Sequence, residues 1–133
     1  MYCSIAVIAT SVDDSGIDMY MGIGGAPEGV LAAAALRCIG GQMQTKLVLE
    51  DQEKKDRAAR LGITDVDKIY NLDDMVTGDA LFAATGVTNG SILSGIEINS
   101  GIWTHTIVMR SSSKTIRWIT AHHQNIDKFN SQN

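Results

Sequence analysis

Residues 17–41 read IDMYMGIGGAPEGVLAAAALRCIGG, and the fold turns on how this stretch is read. Ile17 to Ile23 is a short apolar run bounded by glycine, which predicts a buried strand. From Pro27 to about Ile39, Val30, Ala33, Ala34, Arg37 and Cys38 recur at helical spacing, and Gly40-Gly41 supplies a C-terminal stop. Between strand and helix lie Gly22, Gly24 and Gly25. Glycine there lets a ligand approach the backbone, and a helix N-terminus offers unpaired N–H groups and the positive dipole end to an anion. Pro27, the single proline, suits a first helical turn, where its missing N–H costs nothing. Glu28 is the odd residue, because a carboxylate repels a bound phosphate unless a divalent cation such as Mg²⁺ or Mn²⁺ sits between them. Two readings stand. Glu28 holds such a cation, or it serves only the helix dipole in a common strand–turn–helix.

Outward from this unit, residues 3–11 are apolar and read as a helix, with a strand as the alternative. Val12 to Gly16 is a turn. "QMQTKLVLE" predicts a strand, and "DQEKKDRAARLG" a charged, solvated helix with Asp51 near its start and Gly62 at its end. "KIYNLDDMV" reads as a strand and a turn, and "ALFAATGV" as a buried strand ending in a glycine loop. From Ile92 to His123 three antiparallel strands are expected, turning at Asn99–Gly101 and Ser111–Lys114. The polar tail from Asn125 is expected to fray. The sum is one α/β domain over residues 1–133, a mixed sheet with flanking helices.

The totals bound the function. A chain of 133 residues suits one core, and 44% hydrophobic with 20% charged residues is ordinary for a globular domain. Net charge of −4 argues against a nucleic-acid partner bound through bulk charge. No run reaches membrane-spanning length, and "CSIAVIAT" lacks the basic start of a signal peptide. Cys3 and Cys38 read as two buried thiols in a reducing compartment, so a cytoplasmic location is expected.

Other candidates carry less. "ATGVTNG", residues 84–90, could cradle an anion through Thr85 and Gly86 together with Gly24, but such a run is more often a plain turn. Asp73-Asp74 fits a helix cap better than a metal pair. Arg110, Lys114 and Arg117 could hold phosphate, yet on hairpin strands they are more often solvated edge charges. His122-His123 have no further ligands at metal spacing. Neither a Walker lysine nor dinucleotide spacing follows the glycines, so a nucleotide-binding domain is disfavoured.

The stretch from Ile17 to Gln44, with "DDMVTGDALFAATGVTNGSILSGI" and "TIVMRSSSKTIRWITAHH", resembles the class II fructose-1,6-bisphosphatases, which include enzymes acting on sedoheptulose 1,7-bisphosphate. The resemblance covers nearly the whole chain. It implies the layered α/β architecture of the lithium-sensitive sugar phosphatases, and Mn²⁺- or Mg²⁺-dependent hydrolysis of the 1-phosphate of a sugar bisphosphate in gluconeogenesis. It makes Glu28 a metal ligand and Gly25 a substrate contact. It also implies a longer chain. An N-terminal domain would supply most metal carboxylates, and the family's Asp-Gly-Asp-Val segment would fall on Met1 to Ser4, where no acidic residue stands. On this resemblance the chain is the C-terminal portion of the enzyme, with no catalytic residue of its own and no activity in isolation. The other reading is a non-catalytic binding or assembly domain. His105 stands where many relatives carry an acidic or amide residue. A homo-oligomer is expected, and Ile5 to Ala9 is expected to expose an apolar surface where the N-terminal domain packs.

Overall fold

The computed structural model describes residues 2–125, with side chains from residue 6 on. The expected burial of Cys3, the exposure of Ile5 and the fraying of the tail beyond Asn125 lie outside the described residues. Among the described residues four helices and six strands follow in order: α1 (Tyr2–Ala9), α2 (Ala26–Ile39), β1 (Gln44–Lys46), α3 (Gln52–Arg60), β2 (Ile69–Asn71), α4 (Leu72–Met75), β3 (Leu81–Thr85), β4 (Glu97–Ile98), β5 (Ile102–Arg110) and β6 (Thr115–His123). The class is α/β, as expected. Every described strand pair is antiparallel, and the strands form two sheets rather than one mixed sheet.

The larger sheet is built on β5. Nine residues of β6 pair with it in full register, from Ile102 opposite His123 to Arg110 opposite Thr115. On its other edge β3 pairs along Thr106–Arg110, and β4 along Ile102–Trp103. The hairpins turn where the sequence placed them, at Asn99–Gly101 and Ser111–Lys114. Side chains alternate across the sheet. Phe82, Ala84, Ile107, Met109 and Ile116 therefore share the face that receives Ile8 of α1 with Ala35 and Cys38 of α2. That face is the core. Leu81, Ala83 and Thr85 point the other way and are exposed, so β3 is a half-buried edge strand rather than the fully buried one expected.

The long helix α2 carries the core because its inward stripe is small. Ala32, Ala33, Ala35, Leu36 and Cys38 are buried, and alanines let the helix lie close to the sheet. It ends at Gly40, which is left-handed at φ 93° and donates its N–H to the Leu36 carbonyl. The first segment is helical, and Ile8 and Ala9 are 3% and 0% exposed against this core. The expected apolar surface is thus absent from the described end of α1.

The second sheet is small. β1 and β2 pair from Gln44 opposite Asn71 to Lys46 opposite Ile69. Between them α3 starts where Asp51 accepts the Lys54 N–H at 2.8 Å, and its outer face is solvated charge. No helix among the described residues is long and apolar enough to cross a membrane.

The largest departure is at Ile17 to Ile23. No described strand contains these residues, and Met19, Met21 and Ile23 are 73%, 85% and 84% exposed. Local pattern proposes a strand, but a strand exists only against a partner.

Candidate functional site

The start of α2 is the candidate site. Gly25 is its N-cap, extended at φ −69° and ψ 147°, with no side chain to cap the helix. The first backbone bond runs from Gly29 N–H to the Gly25 carbonyl at 3.0 Å. Pro27 sits in the turn whose N–H groups have no helical acceptor, so its ring adds rigidity without losing a bond. Glu28 follows, half-buried. Its carboxylate folds back over the N-cap, so that a Cβ added to Gly25 would overlap Glu28 Oε2. The backbone angles of Gly25 suit any residue. What glycine supplies there is space, because the missing side chain leaves the place where the carboxylate rests, and a side chain there would push the carboxylate aside. The structure thus brings Gly25 and Glu28 together, with Gly24 exposed beside them.

One carboxylate at a helix N-terminus suits a hard cation bound partly through substrate oxygens. It does not make a metal centre. Among the described residues no three of His, Cys, Asp and Glu converge as a bound metal needs. The donors present therefore fit one ligand of a set, and no more.

Thr85 and Gly86 close β3. The Gly86 N–H is spent on the His105 carbonyl at 2.9 Å, and Thr85 Oγ1 shares a 2.8 Å hydrogen bond with Thr106 Oγ1. The loop beyond is knit to itself: Gly95 N–H donates to Asn89 Oδ1 at 2.8 Å and Gly90 N–H to the Leu93 carbonyl at 2.9 Å. Such amides serve a turn and are not presented to an anion.

At the opposite end of α2, roughly 14 Å from Glu28 by helical rise, lies a cleft of about 460 Å³. Arg37, Asp73, Asp79, Ser112 and Lys114 line it. Its charges are matched. Arg37 pairs with Asp73 and donates to the Gly78 carbonyl, and Lys114 Nζ donates to the Arg37 carbonyl at 3.0 Å, a cation on a helix C-terminus. Asp79 accepts from Arg110 Nε at 2.9 Å and Nη2 at 2.7 Å, from the Ser111 and Ser112 hydroxyls, and from the Ser112 N–H. The Arg110 guanidinium first, then the serine donors, hold its carboxyl far below the usual carboxylate range. Arg110 and Lys114 thus tie the β5–β6 hairpin to its surroundings, beyond the solvated edge charges expected. Nothing in the sequence announced this cluster, whose members lie up to 77 residues apart.

Asp74 accepts the Asn71 N–H at 2.9 Å and caps α4, as expected of it. His122 stacks on Trp103 with ring centroids 4.1 Å apart, and His123 Nε2 meets Thr104 Oγ1 at 3.1 Å. His105 Nδ1 lies 3.3 Å from Thr120 Oγ1, while its Nε2 is buried without a hydrogen bond, 3.6 Å from Glu97 Oε1. Cys38 is buried, and burial pushes its thiol up, away from reactivity.

Residues 4–123 match the sequence profile of the bacterial fructose-1,6-bisphosphatase family, glpX-encoded. The chain is 42% identical over 125 residues to the class 2 fructose-1,6-bisphosphatase of Haemophilus influenzae, covering 83% of this chain and 37% of the relative. It is 35% identical over 132 residues to the class 2 fructose-1,6-bisphosphatase/sedoheptulose 1,7-bisphosphatase of Synechococcus sp. strain JA-3-3Ab, covering 89% and 38%. The chain therefore spans little more than a third of the length of these relatives. The profile covers both the Gly25–Glu28 turn and the β5–β6 hairpin, and the chain belongs to the bacterial fructose-1,6-bisphosphatase family.

Proposed function

We propose that this chain is part of a metal-dependent phosphatase that removes the 1-phosphate of fructose 1,6-bisphosphate, or of sedoheptulose 1,7-bisphosphate, and that it contributes one turn of the active site. The observation that carries the reading is the Glu28 carboxylate resting over the side-chain-free Gly25 at the start of α2, inside the matched region. The relatives are named for these bisphosphates.

In this reading Glu28 supplies one oxygen ligand to Mn²⁺ or Mg²⁺, and Gly25 contacts substrate beside it. The metal, when bound, offsets phosphate charge and lowers the pKa of a water. What the chain's own residues do is narrower. Pro27 and the N-cap hold the carboxylate in place, and the N-terminal dipole of α2 favours negative charge there. The remaining ligands come from the greater part of the family chain. The 133 residues alone are then inactive, since two-metal chemistry takes several carboxylates.

The test is a chimera of the Haemophilus relative in which residues 4–123 replace the matching stretch. Mn²⁺-dependent release of phosphate from fructose 1,6-bisphosphate by the chimera, and none by the isolated chain, is expected. A folded chimera without activity overturns the reading, and activity of the isolated chain overturns the division of labour.

A further inference from the structure

Ile17, Met19, Met21 and Ile23 alternate with Asp18, Tyr20, Gly22 and Gly24. This is the period of a strand with one apolar face. In a half-buried strand that face is covered. Here Met19, Met21 and Ile23 are each more than two-thirds exposed and only Ile17 is half-buried, while Asp18, Tyr20, Gly22 and Gly24 on the other face are exposed as well. Near the start of α2, Val30 and Leu31 are also 44% and 55% exposed. The segment is held at both ends, by the turn in which Ser15 N–H donates to the Val12 carbonyl and by the start of α2.

We infer that Ile17–Ile23 is a docking strand that pairs with, and is covered by, the part of the family chain that these 133 residues do not represent. An extended segment with one apolar face recognises a partner by adding to a sheet edge: main-chain bonds give affinity and the alternate side chains give specificity. The partner is identified by two observations. Relatives of this family are more than twice as long as the stretch matched here. The segment also runs directly into Gly25 and Glu28 along the chain, so whatever covers it borders the candidate site. The identity of the partner rests on the proposed function, but the docking is read without activity, so either can fail alone.

The test is co-expression of the full 133-residue chain with the Haemophilus relative from which the matched stretch is deleted, with an affinity tag on the latter only. Association is measured by co-purification and mass, and protection of amides 18–23 by hydrogen exchange. A one-to-one complex is expected, with those amides slowed at least 100-fold against the chain alone. The double substitution Met19→Lys/Met21→Lys is expected to weaken the complex more than tenfold, while Leu61→Lys, at an exposed apolar residue elsewhere, leaves it intact. No complex, a complex indifferent to Met19→Lys/Met21→Lys, or protection of 18–23 in a homodimer of the chain alone each overturns the inference.

Discussion

Gly25 and Glu28 depend on each other through the volume of one methyl group. Gly25→Ala puts a Cβ where Glu28 Oε2 rests, yet the backbone angles accept alanine and the carboxylate is the far end of a flexible side chain. The expected result is a stability loss of at most about 1 kcal/mol, since alanine is the poorer N-cap, with a much larger loss of activity in the chimera. Thermal melting beside kinetics checks the split. Asp79 makes the opposite kind of prediction. Its carboxyl is depressed in the folded chain, chiefly by Arg110. Its contribution is therefore complete above the pKa of an unfolded aspartate, about 4, and is lost as pH falls below that. Asp79→Asn is expected to lower the melting temperature at pH 7 and to flatten its fall between about pH 4 and 2. Melting curves of both chains across that range decide it, and parallel curves contradict the assignment. The Glu28 turn was legible in the sequence because its parts lie within four residues. The Arg37, Asp73, Asp79 and Lys114 cluster was not, because no local pattern links residues that only the tertiary fold brings together.

At the scale of elements, α2 and the β5–β6 hairpin hold the molecule. Leu36 is fully buried, and Leu36→Ala is expected to cost about 2–5 kcal/mol through lost contact and a cavity. Ser111 joins hairpin to strand. Its Oγ accepts the Ala80 N–H at 2.7 Å and donates to Asp79 Oδ1 at 2.8 Å. Ser111→Ala leaves a part-buried amide without that acceptor, at a cost of about 1–3 kcal/mol, measurable by urea unfolding. A loss close to zero contradicts the role. The caps of α2 and α3, the two hairpin turns and the three closing strands were all legible, because proline, aspartate, glycine and β-branched runs act locally. The segment Ile17–Ile23 and the face of β3 were misjudged for one reason. An apolar run states that a segment prefers cover, and only the tertiary structure states whether cover is present.

At the scale of the molecule, a core formed by two helices on one sheet coexists with an apolar segment left outside it. The same stretch, residues 17–28, joins the uncovered segment to the carboxylate, so structure and function meet at one boundary. The central claim is that Glu28 acts on a metal rather than on the helix dipole. The direct measurement is kcat/KM for fructose 1,6-bisphosphate across a Mn²⁺ titration, for the chimera and its Glu28→Gln variant, with thermal melting alongside. The account predicts a fall beyond the roughly 10–100-fold that losing a supporting partner costs, a weakened response to Mn²⁺, and a small melting shift. Near-parental kinetics at low Mn²⁺, with stability lowered by about 0.3–1 kcal/mol as loss of a dipole contact alone would give, contradict it.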